Sequence, residues 1–122
     1  MGTDYTLVRV THPVTNETPL DGDFSLATAP FGSLDAVLER LRPFAVDVRR
    51  TPPFAHLHVE RDGRGLSVIV TGDPVTAISV DHAAPWDLLP FVEVFADMAP
   101  LAIEDPQRGV YLDPRAVRPA AP

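Results

Sequence analysis

The 122-residue sequence contains no cysteine, which excludes disulfides, thiolate metal sites and thiol catalysis. It contains no lysine, and its 10 arginines are scattered among carboxylates rather than gathered in a basic stripe, so we expect no nucleic-acid partner. No run approaches the roughly 18 apolar residues of a membrane helix. The N-terminus also lacks the basic and apolar segments of a signal peptide. We therefore expect a cytoplasmic protein with no membrane partner.

Recognisable catalytic and nucleotide-binding motifs are also absent. The sequence has no Gly-x-Ser-x-Gly elbow, no phosphate-binding loop and no dinucleotide-binding glycine pattern. Asp81 and His82 are adjacent, but neighbours on a strand point to opposite faces, which weakens them as a general-base pair. The sequence thus favours a protein that is not an enzyme and binds no cofactor.

Acidic residues outnumber basic ones by 17 to 10, which gives a net charge of −7. The hydrophobic content of 45% and the length predict one domain over residues 1–122, with a single core. The acid excess indicates solubility or electrostatic attraction to a basic partner.

Two amphipathic helices are predicted by apolar residues at helical spacing. The first begins after the N-cap Ser33 and ends at Pro43. The second begins at Asp87, which leaves Pro90 in its first turn, and ends before Pro100. Their apolar stripes are Leu34, Val37, Leu38 and Leu41, and then Leu88, Phe91, Val92, Phe95 and Met98.

Alternating apolar and polar residues predict strands over 5–10, 44–49, 55–60, 66–70, 75–80, 101–104 and 110–112. The strand that starts at Phe44 alternates Phe44, Val46 and Val48 with polar residues, so it should have one wet face. We expect an α+β fold: a mainly antiparallel sheet with two helices on one face, a ferredoxin-like βαββαβ unit with an extra hairpin strand.

Residues 11–32 form an unusually long connection rich in Pro, Thr, Gly and Asp. The segment either contains a short strand around residues 24–26 or is a surface loop. Its acids Glu17, Asp21 and Asp23 have no basic neighbours in the sequence. At the other end of the chain, residues 115–122 are expected to fray.

His56, His58 and Glu60 lie two apart on one strand, so their side chains share a face and could hold a divalent ion. The alternating Ala55, Leu57 and Val59 already take the core side, however, and the solvent side of any one-sided sheet carries polar residues. We therefore predict no metal site.

The face opposite the helices, called the open face below, should carry Asp47, Arg49, His56, His58, Glu60, Ser67, Ile69 and Thr71.

Aromatic residues could line a ligand pocket, but Phe91 and Phe95 have the helical spacing typical of core residues. Trp86 precedes that stripe and is a candidate surface anchor for a partner.

The C-terminal third contains a helix over residues 91–98, the strand Leu101-Ala102-Ile103-Glu104, and then Asp105-Pro106-Gln107-Arg108-Gly109. This order resembles small bacterial α/β proteins in which a helix leads into an apolar strand that ends in Asp-Pro-Gln-x-Gly. Some of those proteins resemble immunity proteins, which neutralise toxins by blocking the active site. The resemblance implies a toxin inhibitor, but no binding residue is carried over, because Asp105-Pro106-Gln107 is explained by turn chemistry.

Three hypotheses follow. The first is a non-catalytic inhibitor of the bacterial immunity type, whose acidic surface neutralises a basic toxin or effector; its binding residues would be Glu17, Asp21, Asp23, Asp62, Asp73, Asp81 and Trp86. The second is a dimeric ferredoxin-like domain that binds a small ligand, or an enzyme that uses His56 and His58, with the aromatic residues of the second helix and the two histidines facing a cavity between the sheet and the helices. The third is a module that forms homodimers through the open face or edge strands.

Overall fold

The computed structural model describes residues 3–11, 28–61, 63–98 and 100–118. Antiparallel pairing joins the strands of these residues into one sheet, in the order β3-β4-β5-β6-β1-β7-β8, and the short β2 pairs with β1 in addition. The strands are β1 (Thr3–Val10), β2 (Thr28–Ala29), β3 (Ala45–Thr51), β4 (Phe54–Arg61), β5 (Arg64–Gly72), β6 (Val75–Ala83), β7 (Leu101–Asp105) and β8 (Val110–Leu112).

The α+β class and the antiparallel sheet are confirmed, but the ferredoxin-like topology is wrong. Short connections join β3 to β6 into an uninterrupted meander of four strands. β1 then lies between β6 and β7, so the continuous sheet has seven strands rather than the four of a βαββαβ unit. The strand considered around residues 24–26 lies outside the described residues.

Helix α1 (Leu34–Leu41) has the predicted bounds. The Ala36 N–H donates to the Ser33 hydroxyl over 3.1 Å, as an N-cap requires. The Leu34 N–H donates to the Asp73 carboxylate over 3.0 Å, so the turn between β5 and β6 also caps this helix.

The second helix differs from the prediction. Its α-helical part, α2 (Leu89–Val94), is short and lies between two 3₁₀ turns, Pro85–Leu88 and Ala96–Met98. Pro90 occupies the first turn of α2, where its missing N–H leaves no helical hydrogen bond unmade. Within the described chain, neither helix is long and apolar enough to cross a membrane.

Both helices pack on the same face of the sheet, as predicted. Leu34, Val37 and Leu41 of α1 and Phe91 of α2 belong to one buried cluster with the helix-facing residues of β1, β4, β5, β6, β7 and β8. The Phe31 ring packs edge-on against Phe95, with ring centroids 5.1 Å apart. The predicted apolar stripes therefore form the core.

A second apolar cluster lies on the face away from the helices. Val8, Val10, Ala102 and Tyr111 are buried there, with Ala77 packed against them. The pairing of Val8 with Ala102 places this cluster over β1 and β7. The open face is thus apolar and buried at one side, and polar and exposed over β3, β4 and β5.

The predicted burial of one side of β3 is not observed. β3 is an edge strand, and its Val46 and Val48 side chains are 65% and 43% exposed. Phe44 lies in the preceding 3₁₀ turn and is only partly buried against the core. Val48 lies opposite Leu57 on the helix side, as alternation predicts, whereas the register of β3 shifts around Val46. The sequence could not show that the helices leave both side chains exposed.

Candidate partner-binding face of the sheet

The strand register brings the predicted polar residues of the open face together. Asp47 of β3, His58 of β4, Ser67 of β5 and Asp81 of β6 are successive cross-strand partners, so their side chains share a face and form one row. A second row crosses all seven strands through Arg49, His56, Ile69, Ser79, Thr6, Glu104 and Tyr111.

Two acidic residues, Asp4 and Asp81, lie where β6 ends and β1 begins. The backbone N–H of His82 donates to the Asp4 carboxylate over 3.1 Å, which places Asp4 beside the end of β6 that carries Asp81. His82 has a left-handed backbone (φ 51°) at a point where the register between β1 and β6 shifts. Trp86 follows in the next turn and is 41% exposed. We call Asp4, Asp81 and Trp86 the acidic end of the sheet.

The other predicted partner-binding residues do not all join this end. Asp73 lies in the turn at the opposite end of β6, and its carboxylate caps α1. Glu17, Asp21, Asp23 and Asp62 lie outside the described residues. Of the two predicted acids that the structure describes, Asp81 lies at the end of β6 that leads to Trp86, and Asp73 does not.

His56, His58 and Glu60 are exposed on the open face, as their alternation predicts. The His58 Nε2 atom lies 3.5 Å from a Glu60 carboxylate oxygen. The described part of the chain contains no group of three His, Cys, Asp or Glu residues arranged to hold a metal. The His58 ring lies over Gly65, where an added Cβ would come within 2.7 Å of it, so the glycine leaves room for this imidazole.

The pocket considered for a small ligand is not formed by the residues proposed for it. Phe91 and Phe95 are buried on the helix side of the sheet, whereas His56 and His58 point to the other side. The sheet itself separates the aromatic rings from the imidazoles, so they do not converge on one cavity.

No protein-family model, curated protein or solved structure matches this chain.

Four arginines of the described chain are held in intramolecular ion pairs, and none of these pairs involves an acid of the acidic end. The Arg40 guanidinium binds the Asp97 carboxylate through two hydrogen bonds, which lowers the pKa of Asp97. The other pairs are Arg42 with Glu39, Arg50 with Asp35 and Arg115 with Asp113. Among the described residues, no arginine pairs with Asp4 or Asp81.

Glu104 lies on the open face and is a residue that the sequence did not single out. It lies between Thr6 and Tyr111 in the long row of the open face, next to the Thr6–Ser79 hydroxyl pair at 2.9 Å. Burial raises the pKa of Glu104, and burial followed by the nearby charge of Glu104 raises the pKa of Tyr111. The cross-strand neighbours cause this burial, and they are far apart in the sequence.

Replacing Glu104 with glutamine is expected to raise the melting temperature at pH 7. Folding raises the pKa of the Glu104 carboxyl above its unfolded value near 4.5, so its protonated form stabilises the fold. This contribution is complete below the unfolded pKa and is lost as the pH rises through the raised pKa of the folded state. The gain of Glu104→Gln should therefore shrink toward zero as the pH falls below about 4.5. Calorimetry of both proteins at pH 7 and below about pH 4.5 measures this gain in melting temperature, with the exposed Glu93→Gln as control. An equal gain at both pH values would contradict an ionisation effect.

Proposed function

We propose that the chain is a non-catalytic, protein-binding inhibitor of the bacterial immunity type, which acts in the cytoplasm and binds a basic toxin or effector through the acidic end of its sheet. The observation that carries the proposal is the juxtaposition of Asp4, Asp81 and the exposed Trp86. No arginine of the described chain neutralises these two acids.

This arrangement combines the two features that a steered interface needs. Solvent-accessible carboxylates attract a basic surface over a Debye length, which increases the association rate and selects against acidic partners. A tryptophan can bury a large apolar area with few rotatable bonds, and tryptophans are enriched among the residues that dominate binding energy. The net charge of −7 also attracts a basic partner toward the protein as a whole.

The test is capture of proteins from the organism that carries this chain, followed by co-expression. We expect the wild-type chain to retain a basic protein that elutes as salt is raised, and whose toxicity in growing cells is suppressed by co-expression. Asp81→Arg and Trp86→Ala should each weaken the complex by about 2 kcal/mol, roughly thirtyfold in Kd.

Glu93→Arg is the matched control, because it makes the same charge change at an exposed position on helix α2. It should leave the Kd within about threefold of wild type. Equal binding by wild type and Asp81→Arg would place the interface elsewhere. Binding that is insensitive to salt, or capture of no basic protein, would contradict the proposal.

A further inference from the structure

Strand β3 is the long edge of the sheet, and the described residues leave its outer side unpaired. Among the described strands it pairs with β4 alone, and all of its residues after Ala45 are exposed. The opposite edge, β8, has only three residues. An exposed edge of seven residues presents a row of unpaired backbone N–H and C=O groups, which can pair with another strand.

Apolar side chains accompany this free edge. Val46 and Val48 are among the most exposed large hydrophobic residues of the described chain. On the helix side, β3 and α1 border an open groove of about 360 Å³, lined by Asp35, Leu38, Glu39, Arg42, Val48 and Arg50. The Arg50–Asp35 ion pair of 2.8 Å spans the two elements.

We propose that two copies of this chain pair through β3, antiparallel and centred on Val48, so that the two sheets become one. The occupant of the free edge is thus a second copy. The proposal goes beyond the inhibitor function, because the acidic end lies on β1 and β6, three or more strands away from β3.

Charge selects both the partner and the register. Two antiparallel copies of β3 keep their faces in phase when the centre of symmetry lies on a residue, and the registers with the longest overlap are centred on Asp47, Val48 or Arg49. Centring on Asp47 places two carboxylates opposite each other, and centring on Arg49 places two guanidinium groups opposite each other, which is destabilising. Centring on Val48 instead places Asp47 opposite Arg49 of the other copy, twice.

The side chains needed for these cross-copy pairs form no ion pair within the described part of the chain. Neither Asp47 nor Arg49 forms an ion pair with another described residue, and both lie on the open face. On the helix side, the two Val48 side chains would meet and cover each other. A strand of seven residues is about 24 Å long, which gives an interface at the small end of the specific range and hence a weak, concentration-dependent dimer.

Sedimentation velocity between about 1 and about 500 μM tests the association. We expect the wild-type chain to shift from monomer to dimer within this range. Asp47→Arg and Arg49→Asp each turn two attractive pairs into repulsive ones and should raise the dimer Kd about tenfold or more. A wild-type chain that stays monomeric throughout, or reversals that leave the Kd unchanged, would overturn the proposal.

Mixing the two singly reversed variants is the decisive control. In the mixed dimer, the arginine introduced at position 47 faces the aspartate introduced at position 49. The native Arg49 of one variant likewise faces the native Asp47 of the other, so both pairs are attractive again. We expect the mixture to form a heterodimer at concentrations where each variant alone is monomeric. This recovery would also show that both variants are folded, whereas its absence would contradict the register.

Cysteine cross-linking tests the register directly, because the chain has no cysteine of its own. Val48→Cys places two thiols directly opposite each other, at a Cα separation that a disulfide can span. Val46→Cys is more exposed but would face Arg50 of the other copy. We expect oxidation to cross-link Val48→Cys at least about tenfold faster than Val46→Cys. Equal rates, or faster linking through position 46, would overturn the proposal.

Discussion

Replacing Phe95 with alanine is expected to lower the free energy of unfolding by about 4 kcal/mol. The Phe95 side chain is fully buried and packs edge-on against Phe31. The Arg40 guanidinium lies 5.5 Å from the centroid of its ring. Truncation would therefore open a cavity between the helices and the sheet and remove two aromatic interactions at once.

Urea unfolding followed by circular dichroism measures this loss. Phe54→Ala is the matched control, because it removes the same atoms from a side chain that is 42% exposed at the start of β4. The control should lose less than about 1.5 kcal/mol. If the two variants unfold at the same urea concentration, Phe95 does not have the central packing role assigned to it.

Local patterns in the sequence were sufficient for those elements whose partners lie nearby in the chain. The hairpin of β4 and β5 was predictable because Ala55, Leu57 and Val59 alternate with polar residues and a glycine-rich turn follows. Helix α1 was predictable because Ser33 and Pro43 mark its ends. Both signals depend on residues within about one turn or one hairpin.

The errors concern features that long-range pairing decides. The position of β1 between β6 and β7 joins residues about seventy to one hundred positions apart, and no local pattern encodes that choice. The same limit explains β3. Its alternation is that of a half-buried strand, yet whether a helix covers Val46 and Val48 depends on where α1 lies across the sheet.

The candidate site was predictable only in part, for a related reason. Alternation placed His56, His58 and Asp47 on one face, as observed. The predicted strand over residues 75–80 already separates Asp73 from Asp81, but the sequence could not show that the Asp73 carboxylate caps a helix. Nor could it show Asp4 beside Asp81, since their proximity arises from the pairing of β1 with β6.

Replacing Val8 with aspartate is expected to destabilise the fold by about 4 kcal/mol, even though Val8 points away from the helices. Val8 is only 4% exposed and belongs to the second apolar cluster, opposite Ala102. The new carboxylate would be buried among apolar groups, and Glu104 would lie diagonally across from it on the adjacent strand. Burial without a paired cation and like-charge repulsion would act together.

His56→Asp is the matched control for this prediction, since it introduces the same charge on the same face of the sheet at an exposed position. Its free energy of unfolding should stay within about 1 kcal/mol of wild type. Urea unfolding of both variants at pH 7 gives the comparison. If Val8→Asp were as stable as His56→Asp, the face would be uniformly accessible to water. A loss confined to Val8→Asp would instead establish that β1 and β7 form a second core on this face, leaving β3, β4 and β5 as its exposed part.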